Sequence, residues 1–141
     1  MDDIRFKRYL DKITYIQDKL QYFIPNASND LEKNGILYCV QTSIEASIDT
    51  IAMIIKDLGY DVKSDKENIR FLVEKDIINP ELGIFFEKAN GLRNLLVHRY
   101  NGIEEARIFQ EIEIIKKYLL VWIDNLEYLI NEIRNNQSDS K

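Results

Sequence analysis

Apolar residues recur three and four positions apart through most of the chain, the spacing that gathers them on one side of an α-helix. Phe6, Tyr9, Ile13, Ile16, Leu20 and Phe23 define a first helix over roughly 2–23, with a stripe as narrow as a bundle seam. Ile24-Pro25-Asn26 stops it, because proline disfavours helix in the residue before it. A second helix is predicted from Asp30 to Gly59, a natural left-handed cap, with Leu37, Val40, Ile44, Ile48, Ile51, Ile55 and Leu58 inward. Ser64-Asp65-Lys66-Glu67 is a capping box that opens a short third helix containing Ile69, Leu72 and Val73. Asn79-Pro80 opens the fourth, which presents Leu82, Phe85, Phe86, Ala89, Leu92 and Leu96 to the core. It should end close to Tyr100, because Asn101-Gly102 is a stop and turn signal. A fifth runs from about Glu104 to Asn135 on Phe109, Ile112, Leu119, Trp122, Leu126, Leu129 and Ile133.

These elements predict an all-α, up-and-down bundle of four main helices plus a short extra one. The 141 residues fit a single domain over 1–134, followed by a polar, disordered tail over 135–141. Five glycines and two prolines are too few for the turns of an all-β protein. A composition of 45% hydrophobic and 30% charged residues is that of a globular chain. The net charge of -5 argues against a broad basic coat for long nucleic acid, though not against a small basic cleft. The single cysteine, Cys39, excludes an intrachain disulfide and reads as core in its apolar helical context. No signal peptide or membrane-length apolar run is apparent, so a soluble, cytoplasmic protein is expected.

The candidate chemistry is concentrated in Gly91-Leu92-Arg93-Asn94-Leu95-Leu96-Val97-His98-Arg99-Tyr100, which holds the only histidine. Histidine carries protons at neutral pH, and arginine presents a charged fork suited to phosphate oxygens. A proton carrier beside a phosphate clamp is the minimum for cutting a phosphodiester. Asn94 and His98 are four apart and share a helix face. Arg93 and His98 are about 140° apart on an ideal helix, so their heads meet only through the long arginine arm or near a loosened helix end. RNA cleavage by the 2′-hydroxyl ideally uses two proton carriers, which a two-fold homodimer would supply from two fourth helices. In the second helix Glu45 and Asp49 lie four apart on one face and repel. They are either solvated acids or the anchor of a cation, with Arg93 the favoured partner. Metal is poorly served by one histidine and one cysteine, so no metal or other cofactor is expected.

Arg93-Asn94-Leu95-Leu96-Val97-His98-Arg99-Tyr100 resembles the Arg-x-x-x-x-His-x-Tyr signature of HEPN domains, in the branch of HepT-like toxins. Gly91-Leu92, the run from Gln41 to Asp49 and the Ile77-Ile78-Asn79-Pro80-Glu81-Leu82 entry to the fourth helix look like that branch too. The similarity extends over nearly the whole chain apart from the polar tail. Relatives often carry arginine near the start of the second helix, where Lys33 and Asn34 stand here.

The resemblance implies a HEPN-like homodimer that is a metal-independent endoribonuclease, the toxin of a type VII-like toxin–antitoxin system. Its partners would be RNA and a minimal nucleotidyltransferase antitoxin that silences it by adenylylating the motif tyrosine, here Tyr100. His98 would be the general base or acid and Arg93 the phosphate clamp, while Asn94 orients the histidine or bonds to the backbone. Glu45 and Asp49 would support Arg93 and the dimer interface, and Arg99 is either an RNA contact or plain surface. The alternative is a non-catalytic HEPN module that binds a nucleotide or a partner nucleotidyltransferase through the same cleft.

Overall fold

The computed structural model describes residues 1–98 and 102–139, without the side chains of 102–104 and 138–139. Five helices and no strand occur among the described residues: α1 (Asp3–Leu20), α2 (Asp30–Asp57), α3 (Asp65–Glu74), α4 (Pro80–His98) and α5 (Gly102–Asp139). The helix starts follow their capping residues. Asp2, Asn29 and Ser64 each accept a hydrogen bond from a backbone N–H in the first turn, at 2.7, 2.8 and 3.2 Å.

Three boundaries differ from expectation. Helix α1 ends at Leu20 rather than Phe23, because the backbone closes into a turn with Phe23 N–H donating to Leu20 O at 3.1 Å. Phe23 stays in the core even so, 3% exposed. Helix α2 ends at Asp57, with Gly59 at φ +92° and Tyr60 N–H returning to Ile55 O at 3.1 Å, a Schellman closure. Helix α5 continues to Asp139, into the stretch expected to be a disordered tail. That stretch is polar but has no glycine or proline to break a helix already propagating from Trp122 and Leu126.

The centre of the bundle is α2, which touches all four other helices. The expected stripe from Leu37 to Ile55 is buried, but so are Ile36, Ile54 and the polar Thr42, Ser43, Ser47 and Thr50. A small hydroxyl is tolerated there because it bonds back to its own helix. Ser43 Oγ donates to Cys39 O at 2.7 Å, Ser47 Oγ to Ser43 O at 2.9 Å and Thr50 Oγ1 to Ser47 O at 2.6 Å. Thr50 Oγ1 also accepts from Trp122 Nε1 at 2.9 Å, joining α2 to α5 through two fully buried side chains. Cys39 packs half-buried against the core, and that burial pushes its thiol pKa up.

Helix α1 is tied to the end of α2 by a buried-edge network. The fully buried Tyr9 donates its hydroxyl to Asp57, which also accepts from Arg5 Nε at 2.8 Å. On the opposite side α3 lies close against α4, where a Cβ on Gly83 would overlap Val73 Cγ2. Phe86 meets Trp122 edge-on, with ring centroids 5.6 Å apart, and completes the α4–α5 contact.

Two predictions follow from these buried polar groups. Thr50→Val keeps the shape but strands the Trp122 N–H, and should cost about 1–3 kcal/mol in urea unfolding. Burial first, then the Asp57 hydrogen bond and charge, raise the Tyr9 pKa above its ordinary 10.0. The folded state therefore holds that proton more tightly than the unfolded chain. Its contribution is intact below pH 10.0 and is lost as pH climbs beyond it. Stability measured from pH 9 to 11 should fall less steeply in Tyr9→Phe than in wild type.

Candidate functional site

Helix α4 carries the candidate site, and its construction explains the state of Arg93. Asn79 Oδ1 accepts from Leu82 N–H at 2.8 Å and sets the start of the helix. Leu82, Phe86, Ala89 and Leu96 form its buried stripe, and the position on that stripe between Ala89 and Leu96 is Arg93. A charged side chain thus occupies a core-facing register, with 25% of it exposed.

Its guanidinium is only partly satisfied. Nη2 donates to Asn90 Oδ1 at 3.0 Å and, at the long distance of 3.5 Å, to Asp65 Oδ2 in the first turn of α3. Nε is buried and has no hydrogen-bond partner among the described residues. An unpaired buried donor costs about 1–3 kcal/mol, and such breaches of local rules gather where function requires them.

Asn94 and His98 lie exposed on the other face of α4, four residues apart as expected, with His98 the helix's last residue. The Arg93 head leans back towards Asn90, while the His98 level is about 12 Å further along the axis from Asn90. Within one chain, then, the Arg93 head is held at the level of Asn90, away from the C-terminal end of α4 where His98 stands. Tyr100, like Arg99, lies outside the described residues.

The expected link between Arg93 and the α2 acids does not form within the chain. Glu45 accepts from Gln41 Nε2 at 3.2 Å, and Asp49 pairs with Lys12 Nζ at 3.1 Å. Both line a groove of about 730 Å³ between α1 and α2, with Arg5, Arg8, Lys12 and Tyr15 around them. The same-face reading of Glu45 and Asp49 holds, but that face meets α1 and not α4. The carboxylate facing Arg93 is Asp65, which the sequence offered only as part of a capping box. Asn90 was legible in principle, as a polar residue three before Arg93 on the same helix.

Lys33, near the start of α2, is committed to Glu105 at 2.8 Å. That hydrogen bond and the Glu105 charge raise the lysine pKa and tie the start of α2 to the start of α5, just beyond the motif. No cluster of three or more His, Cys, Asp or Glu suited to a metal ion occurs among the described residues. No helix among them is long and apolar enough to cross a membrane.

Comparison with known proteins covers nearly this entire architecture. The family model described as Ribonuclease HepT-like matches residues 6–132. A protein of Archaeoglobus fulgidus named "Putative RNase" is 39% identical over 130 residues, 92% of this chain and 98% of that protein. A tri-AMPylated HEPN toxin of Shewanella oneidensis, solved in complex with an MNT antitoxin, superposes with a TM-score of 0.75 at 21% identity. The match covers 91% of this chain and 99% of that one. A toxin–antitoxin structure with AMP-PNP aligns with a TM-score of 0.73 at 20% identity, over 89% and 99% of the two chains. At these identities the structural likeness establishes the fold, that of HEPN toxins.

The unsatisfied state of Arg93 makes its own prediction. Arg93→Met keeps the length of the side chain and removes the stranded donor, so stability should stay within about 1 kcal/mol of wild type or rise. A loss well beyond that in urea unfolding would mean that the arginine is a structural residue.

Proposed function

This chain belongs to the HepT-like family, and from that premise we propose that it is the toxin of a type VII-like toxin–antitoxin pair. It acts as a metal-independent endoribonuclease on cellular RNA and works as a two-fold homodimer. The observation that carries this reading is the sequence motif from Arg93 to Tyr100, whose Arg93, Asn94 and His98 lie on α4, within a family match that spans residues 6–132.

The chemistry follows from the side chains. His98 of one protomer takes the proton of an RNA 2′-hydroxyl, whose oxygen attacks the adjacent phosphorus. The 5′-oxygen leaves as the P–O bond breaks and receives a proton from a second histidine. Each chain has one histidine, so the donor is the partner subunit's His98. The products are a 2′,3′-cyclic phosphate and a 5′-hydroxyl. Arg93 neutralises the charge that builds on the phosphoryl oxygens, with Asn94 orienting the reacting groups beside His98. Glu45 and Asp49, which face the α1–α2 groove, contribute to the dimer interface rather than to Arg93.

Control passes through Tyr100. A cognate minimal nucleotidyltransferase transfers an adenylyl group from ATP to its hydroxyl, with loss of the phenolic proton and pyrophosphate as the leaving group. It adds further groups to the AMP already attached, placing phosphate charge and bulk beside a site that receives RNA phosphate. The AMPylated toxin and MNT antitoxin of the similar Shewanella structure support this regulation.

His98→Ala should lower cleavage of total cellular RNA by about 10²- to 10⁴-fold while the helical circular dichroism is retained. Arg93→Ala should be similarly defective, and EDTA should leave the wild-type rate unchanged. Intact mass after co-expression with a cognate nucleotidyltransferase should rise in adenylyl steps in wild type and not in Tyr100→Phe. Unmodified, dimeric wild-type protein that leaves RNA intact would overturn the toxin reading in favour of a non-catalytic module.

A further inference from the structure

An arginine that is to receive a phosphate must offer a free edge, and the best edge combines Nε with one terminal nitrogen. In Arg93 that edge is unavailable. Nη2 is occupied by Asn90 and Asp65, and Nε is buried without a partner among the described residues. The closer of the two holds is Asn90 at 3.0 Å, and the charged one is the Asp65 carboxylate at 3.5 Å, an anion where a phosphate oxygen would otherwise draw the guanidinium. The carboxylate also draws the arginine towards α3.

We infer that Asp65 is an internal competitor for Arg93, an autoinhibitory contact that keeps the arginine retracted until a phosphodiester displaces the carboxylate. This deepens the proposed function, because it rests on Arg93 being the phosphate-holding group. The magnitudes fit a contact meant to yield. The pair is long, and Asp65 is 42% exposed, so its carboxylate returns to water with little loss on release. The pose also leaves Nε unsatisfied, so leaving it relieves an existing deficit. A pair exposed to this extent changes an equilibrium by up to about fivefold, enough to tune affinity without blocking the site. Asn90 is neutral and steadies the retracted arm without competing for its charge.

If Asp65 instead held Arg93 ready for substrate, its loss would weaken anion binding. The two roles therefore differ in sign. The test compares wild type, Asp65→Asn and Asp65→Glu as full-length proteins, following the Arg93 Nε–H resonance by NMR during titration with inorganic phosphate. The competitor predicts that Asp65→Asn responds at about three- to fivefold lower phosphate, whereas Asp65→Glu stays near wild type. An unchanged or higher phosphate requirement in Asp65→Asn overturns it.

RNA cleavage then reports separately on the ribonuclease reading. Asp65→Asn should lower KM by a similar factor and leave kcat unchanged, a split that a purely structural role for Asp65 would not produce. If no variant cuts RNA, the ribonuclease reading fails while the phosphate titration still decides the competitor. Thermal melts check that Asp65→Asn keeps α3, whose Ser64 cap is untouched.

Discussion

Everything in this bundle leans on the enclosure of one long helix. Helix α2 is contacted by each of the other four, so it cannot be amphipathic in the ordinary sense. An all-leucine surface would overfill the space between close neighbours. Ser43, Ser47 and Thr50 resolve this by being small and by returning their hydroxyl protons to the helix's own carbonyls. The peripheral helices then take simpler roles. Helix α1 fastens to α2 at Asp57, α5 at Thr50, and α4 is left to present one edge outward.

That division separates what binds the fold together from what the site does. The residues that hold the core are satisfied: Trp122 has Thr50, Tyr9 has Asp57, and Asn68 bridges both backbone groups of Lys63. Arg93 stands apart as a charged group on a core register with a donor left over. Stability and the proposed activity thus make opposite demands on one position of α4. The single histidine makes a further demand, because a chain with one proton carrier completes the proposed reaction only by meeting its copy.

Much of this was legible in the sequence. The starts of α3 and α4 followed from Ser64 and Asn79, whose side chains cap the first turns by local geometry alone. The α4 motif and its family resemblance could be read directly. Less accessible were features set by contacts between helices. The burial of Ser43, Ser47 and Thr50 depends on α2 being packed against all four other helices, which no periodicity in α2 itself announces. The Arg93 partner was assigned to Glu45 and Asp49 because opposite charges invite pairing. The packing turns those acids towards α1 and brings Asp65, 28 positions before Arg93, into their expected place. Local signals place helices, whereas the rotation of each about its axis is settled by the whole bundle.

Gly83 gives that bundle a mechanical meaning. Its missing side chain is what allows Val73 to lie against α4, so the glycine fixes the spacing between α3 and α4. Asp65 rides on the first of these helices and Arg93 on the second, which makes the gap between acid and base a property of the packing some distance away. A methyl group at position 83 would act as a shim, prising the pair apart without touching either residue. The separation of Asp65 and Arg93 is therefore a dimension of the scaffold, open to adjustment at a position that touches neither of them.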